Sequence, residues 1–235
     1  MRQVPYLIIG NGRVASHFRH YLTLSGLSYY QWHRSSAESL ATLVEASQTI
    51  LLLISDNALG SFVAAHESLF KNKQLVHFSG AHYYPNILGL HPLMSFAKDW
   101  YDLKLYQVIP FFIDRENIRL TDIFPGLVNP YFYVAPQQKA YYHALCVIAN
   151  NFTTILWEKF FREMHARFAV PKEALLCYLT KTYENIVCNE KLALTGPLAR
   201  KDTVTIQKNL QALEEDPFYP IYKAFVELTQ EEKVC

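Results

Sequence analysis

Up to about residue 135 the apolar positions come in short continuous runs: YLIIG (6–10), LSYYQWH (27–33), TILLLIS (49–55), QLVHFS (74–79), YQVIPFFI (106–113) and PYFYVA (130–135). Between the early runs, apolar residues recur every three or four positions: Val14, Phe18 and Leu22 before Gly26, then Leu40, Leu43 and Val44, then the stretch from Asn57 to about Phe70. Continuous apolar runs predict strands buried on both faces, and the helical spacing between them predicts the helices that bury them. The opening order is β-α-β-α-β, which predicts an open, doubly wound, mostly parallel sheet. From Pro136 the rhythm changes. Residues 137 to about 166 contain neither Pro nor Gly, Pro171 opens a second long helical stretch reaching Leu194, TGPLARKD interrupts it, and two more helical stretches follow. The expected class is α/β, with a sheet domain over 1–135 and an all-helical domain over 136–235. A crevice between two such halves is the natural place for a ligand.

Composition narrows the partners. With 51% hydrophobic residues in 235, the chain is rich enough to bury one substantial core or two smaller ones. Its 22 basic and 21 acidic side chains are dispersed and give a net charge of +1, so no footprint for nucleic acid stands out and a small-molecule partner is expected. TILLLIS stops at Asp56-Asn57, short of a membrane span, and YLIIG is too short for a signal peptide. The four cysteines (Cys146, Cys177, Cys188 and Cys235) have no paired metal spacing, and a cytoplasmic setting is expected.

The first strand runs into Gly10-Asn11-Gly12-Arg13-Val14-Ala15, and a helix follows. In a Gly-x-Gly-x-x-Ala turn the first glycine permits a sharp bend and the second leaves room for a pyrophosphate. The small last residue lets helix and strand pack closely, and the helix N-terminus faces the anion. The alternative is a tight corner with no ligand. An NAD-selective site carries an acid about 20 residues past the glycines, to bind the ribose 2′-hydroxyl. Here the stretch is Gln31-Trp32-His33-Arg34-Ser35-Ser36, with no carboxylate before Glu38. Arg34 can fork onto a 2′-phosphate, with Ser35 and Ser36 donating hydroxyls and His33 beside them, so NADP(H) is the expected cofactor; a solvated arginine in a surface loop is the alternative. Two further strand ends, Ser55-Asp56 and Ser79-Gly80, belong to the same expected cofactor set. Ser55 and Asp56 are equally suited to capping the next helix.

GNGRVA, HFSG with GLHPLMSF (77–80 and 89–96), AYYHALCVIANNF (140–152) and LTGPLARKDTVTIQKNLQAL (194–213) together resemble a known group. The chain is similar to Rossmann-like NADP-binding proteins with a helical C-terminal domain of unknown function. They lie within the superfamily of pyrroline-5-carboxylate reductase and 6-phosphogluconate dehydrogenase. The resemblance implies a Rossmann domain, a helical domain that mediates dimerisation, and NADP-dependent oxidoreductase activity on an unassigned substrate.

A reductase also needs a proton donor and groups that orient the substrate. His91, held extended by Pro92, is one candidate, with a structural histidine as the alternative. With His77 and His82 it forms no spacing that would hold a metal, and no metal is expected. His143 and Asn151 share a helical stretch, suited to a ligand or to pairing between helices. Lys181 and Asn185 match the Lys-x-x-x-Asn spacing by which β-hydroxyacid dehydrogenases of the superfamily place an acid and a substrate ligand. The glycine of that motif is absent here, and an exposed lysine is the plainer reading. Arg200 is the candidate for a substrate carboxylate, and Asp202 beside it is expected to cap the helix TVTIQKNL. The function expected is reduction of a small keto or imino acid by NADPH. The alternative is a sensor or scaffold that binds NADP without turnover.

Overall fold

The computed structural model describes residues 4–231. The chain divides into two compact units between Leu156 and Trp157. Strand gives way to helix at Pro136, as the sequence suggests, but the helical residues from 139 to 156 belong to the unit that holds the sheet.

In the first unit the elements run β1 (Val4–Ile9), α1 (Arg13–Leu24), β2 (Tyr29–Trp32), α2 (Leu40–Glu45), β3 (Ser47–Leu52), α3 (Asp56–Ala65), β4 (Gln74–His77) and β5 (Leu88–Pro92). They continue with α4 (Leu103–Val108), β6 (Phe111–Ile113), α5 (Leu120–Ile123), β7 (Tyr131–Tyr133) and α6 (Lys139–Val147). A π turn over Ile148–Phe152 joins α6 to α7 (Thr153–Phe168). The described residues form a seven-stranded sheet of order β2-β1-β3-β4-β5-β6-β7. Strands β1 to β5 are parallel, whereas β6 pairs antiparallel with β5 and parallel with β7.

Alternate residues of the first strand explain why its apolar run is unbroken. Tyr6 and Ile8 enter one core with Phe18 and Leu22 of α1 and Tyr106 of α4, while Leu7 and Ile9 enter another with Leu43 of α2 and Leu59 of α3. Both faces are covered, so neither needs polar side chains. The run YQVIPFFI is half helix: Tyr106–Val108 close α4, Pro110 ends it, and only Phe111–Ile113 enter the sheet. The strand through His91 is the one that the apolar runs leave out, since LGLHP is short and interrupted by glycine and proline.

The second unit continues α7 and adds α8 (Lys172–Cys188), α9 (Gly196–Ala199), α10 (Thr203–Ala212) and α11 (Tyr219–Glu231). Asp202 caps α10, accepting from the Thr205 amide at 3.1 Å and from its hydroxyl at 2.7 Å. Lys159 bridges Glu163 and Asp216, and Trp157, Phe160 and Tyr178 pack edge to face. Cys235 lies outside the described residues. No described helix is long and apolar enough to cross a membrane.

Candidate functional site

In an open parallel sheet the connections from neighbouring strands leave in opposite directions at one point, and a crevice opens beyond the strand ends there. Here that point lies between β1 and β3. A cavity of about 600 Å³ fills it, lined by residues 9–14 after β1, 32–35 after β2, 52–56 with Ala58 and Phe62 after β3, and Phe78-Ser79 after β4.

The glycine turn forms one wall. Gly10 has φ +138°, and a Cβ there would collide with the Leu53 carbonyl, where β3 passes β1. Gly12 is the N-cap of α1, with φ −76° and no side-chain cap, and a Cβ on it would meet nothing within 4 Å. The N-terminus of a 12-residue helix therefore opens on empty space, with its first-turn amides available to an anion. Gln31 braces the turn, donating to the Gly10 carbonyl at 3.0 Å and to Asn11 Oδ1 at 3.2 Å.

After β2 the chain makes a tight turn in which Ser36 N donates to the His33 carbonyl at 2.8 Å and His33 N to Ser36 Oγ at 2.9 Å. Arg34 and Ser35 sit at its exposed tip, and both line the cavity. Among the described lining residues the one carboxylate is Asp56, at the start of α3, where it accepts from Ser79 Oγ at 2.8 Å. Ser55 is the N-cap of α3 but makes no side-chain cap bond.

Beyond β4 and β5 lies a second group of polar side chains. A Cβ on Gly80 would overlap the His143 ring and stand 3.0 Å from His91 Nε2, so the absent side chain is what lets the two histidines meet there. Their ring centroids are 5.8 Å apart. His91 Nδ1 lies 2.7 Å from the Tyr142 hydroxyl. Beneath them, Lys139 and Asp114 are almost wholly buried and paired at 3.1 Å, in a space that only a glycine at 89 leaves open. Asp114 also accepts from Gly89 N at 2.9 Å and Arg115 at 3.0 Å. Burial pulls the Lys139 pKa down, while the Asp114 charge opposes the shift. Burial, with the charges of Lys139, His82, Arg115 and His91, lowers His77 to about 3, and burial with His143 and Lys139 lowers His91 to about 4. Both rings are neutral at pH 7. His77 is fully buried, accepts from Ser79 N through Nδ1 at 3.2 Å, and has no partner for Nε2.

Residues 113–229 match the model of a family described as "Domain of unknown function (DUF2520)". The matched stretch starts at the end of β6 and so includes Asp114, Lys139, Tyr142 and His143. Among solved structures the chain is similar to a Bacteroides fragilis protein described as a candidate NADP oxidoreductase, at 20% identity and TM-score 0.76 over 98% of this chain and 99% of that one. It is similar to Plasmodium falciparum pyrroline carboxylate reductase with NADP bound, at 15% identity and TM-score 0.60 over 99% and 97%. A third is an imine reductase from Myxococcus stipitatus in complex with NADP+, at 11% identity and TM-score 0.67 over 97% and 93%. These likenesses show the fold, a Rossmann-type sheet with a helical C-terminal region. A search of curated proteins gives no match.

Of the residues singled out from the sequence, Gly10, Asn11, Gly12, Arg13, Val14, His33, Arg34, Ser35, Ser55, Asp56 and Ser79 line the one cavity. Ala15 is buried under the turn, and Gly80 stands with the histidines. Asn151 lies exposed in the π turn, which breaks the α-helical periodicity linking it to His143. The residues that share the His143 face of α6 are Lys139, Tyr142 and Cys146, at i, i+3 and i+7, a polar stripe legible in the sequence once the helix register is known. Lys181 is exposed in the second unit and paired with Glu184 at 3.0 Å, and Asn185 and Arg200 are exposed in the same unit. His77, His82 and His91 do not converge, and no group of three or more His, Cys, Asp or Glu among the described residues could hold a metal ion. Trp32 and Phe62, with ring centroids 6.0 Å apart, also line the cavity. Their spacing in the sequence reads as core.

Proposed function

We propose that the protein is an NADP(H)-dependent oxidoreductase that reduces the carbonyl or imine carbon of a small carboxylate-bearing substrate. The observation that carries this reading is the cavity at the β1/β3 switch point, where an uncapped helix N-terminus, an open Gly12 and a cationic turn without an acid after β2 line one space. The amides of residues 13–15 would hold the pyrophosphate, Arg34 and Ser35 the 2′-phosphate, and Trp32 and Phe62 the adenine. NADPH, when bound, supplies the hydride. His143, at Gly80 with His91, is the acid that gives the balancing proton to the reacting oxygen or nitrogen.

A homodimer belongs to the same proposal. Tyr141, Leu145 and Ile148 recur four and three residues apart along α6 and into the π turn, Phe152 and Ile155 follow at its far end, and each is 48 to 70% exposed. A second copy of this helix presents the same uncharged stripe, and an unpaired apolar ridge of that length is unusual on a monomer. Cys146, Cys177 and Cys188 are free thiols, which fits a cytoplasmic setting.

Calorimetric titration tests the reading. NADPH should bind more tightly than NADH, and Arg34→Ala should lose about 1.5–3 kcal/mol towards NADPH, as for a hydrogen bond to a charged group, with little change towards NADH. Equal losses for both cofactors would assign Arg34 to the fold. NADPH oxidation with a panel of 2-oxo acids and cyclic imines then separates an enzyme from a protein that only binds NADP.

A further inference from the structure

Tyr142 meets His91 through its hydroxyl, which lies 2.7 Å from His91 Nδ1, and Cys146 is one turn further along α6. An imidazole nitrogen with a free lone pair is a strong acceptor, whereas a thiol is weak both as acceptor and as donor. The favourable arrangement has Tyr142 donating to Nδ1, because a phenol is the more acidic donor and a neutral imidazole nitrogen the more basic acceptor. That leaves the His91 proton on Nε2, the nitrogen that faces Gly80. The tyrosine ring is held independently of its hydroxyl, since it packs on Phe112 with centroids 4.5 Å apart. His91 is neutral at pH 7, the state in which a tautomer is defined.

We propose that Tyr142 is a positioning residue that fixes His91 as the Nε2–H tautomer, so that a neutral imidazole presents an N–H donor at Gly80, beside His143, to the carbonyl oxygen of a ketone substrate. His91 then stabilises the charge that develops on that oxygen, because a neutral imidazole does not readily give up Nε2–H as a full proton. The hydride adds to the carbonyl carbon, the C=O π pair becomes the oxygen lone pair, and His143 in its protonated form delivers the proton to it. A site of two N–H donors suits an oxygen that gains negative charge and disfavours an iminium cation. The tautomer does not depend on the reductase reading, but the substrate preference does.

Nitrogen-15 NMR of the ring nitrogens in the full-length apo protein tests the first part with no substrate at all. Wild type and Cys146→Ala should both show His91 protonated on Nε2, and Tyr142→Phe, which keeps the ring packing, should show a mixture of tautomers. Protonation on Nδ1 in the wild type, or an unaltered tautomer in a folded Tyr142→Phe, overturns the proposal. In turnover, Tyr142→Phe should lower kcat on 2-oxo acids by about tenfold with KM little changed, less than the 10²–10³ that loss of an oxyanion donor costs. Unchanged kcat, or faster reduction of cyclic imines than of 2-oxo acids, overturns the role. Absence of NADPH binding by the wild type overturns the reductase reading and leaves the tautomer result standing.

Discussion

Gly10 and Gly12 are two residues apart and answer to different constraints. Gly10 serves the fold: its φ of +138° and the Leu53 carbonyl beside it both exclude a side chain. Gly12 has a φ that any residue adopts and open space around its missing Cβ. Gly10→Val should therefore destabilise the protein by about 1–3 kcal/mol from backbone strain alone, read as a lower denaturant midpoint. Gly12→Val should keep a near wild-type midpoint and lose NADPH binding, because its side chain enters the space an anion needs. A folded Gly12→Val protein with full NADPH affinity would move the phosphate site elsewhere. The same care applies to the histidines. His91 and Tyr142 are 51 residues apart, and nothing local in GLHPLMSF or AYYHALC tells either ring what it meets.

At the scale of elements, the helix from Lys139 onwards is amphipathic in an unusual sense. Its polar stripe of Lys139, Tyr142, His143 and Cys146 turns towards the strand ends, and its apolar stripe from Tyr141 to Ile155 is exposed. On a helix that simply covers a sheet the apolar side would face inward. The inversion fits an element that lines a site on one side and meets a second chain on the other. Ile148→Glu, at the middle of the stripe, should shift sedimentation from dimer to monomer. The circular dichroism spectrum should stay nearly unchanged, because the residue is 52% exposed in a single chain. A monomeric wild type would remove the stripe from the account of assembly.

For the whole molecule, the neutral buried histidines couple stability to pH. His77 and His91 titrate near 3 and 4 in the folded protein and near 6.5 when unfolded. Above pH 6.5 neither state binds the proton, and the two rings contribute no slope. As pH falls below 6.5 the unfolded chain takes up protons that the fold refuses, so stability drops by about 1.4 kcal/mol per pH unit for each histidine until the folded pKa is reached. Urea midpoints should therefore fall between pH 6 and pH 4.5. His77→Gln should flatten that fall by roughly one histidine's share, and parallel curves for the two proteins would show that His77 is not buried neutral.

Local chemistry settled a good part of this in advance. Apolar runs filled on both faces, the helix starts at Gly12 and Asp202, the open turn after β1 and the lack of an acid after β2 all depend on residues within a few positions of one another, so one sequence suffices to read them. The antiparallel β5–β6 pairing, the strand through His91 and the half-helical YQVIPFFI were not legible in that way. The first two depend on which distant strand each segment pairs with, and the third on where Pro110 stops a helix. The meeting of His91, His143 and Gly80, and the Asp114–Lys139 pair lodged against Gly89, belong wholly to the tertiary structure. Periodicity tells which residues share a helix face, but only the packing of that helix on the sheet decides which face turns inward.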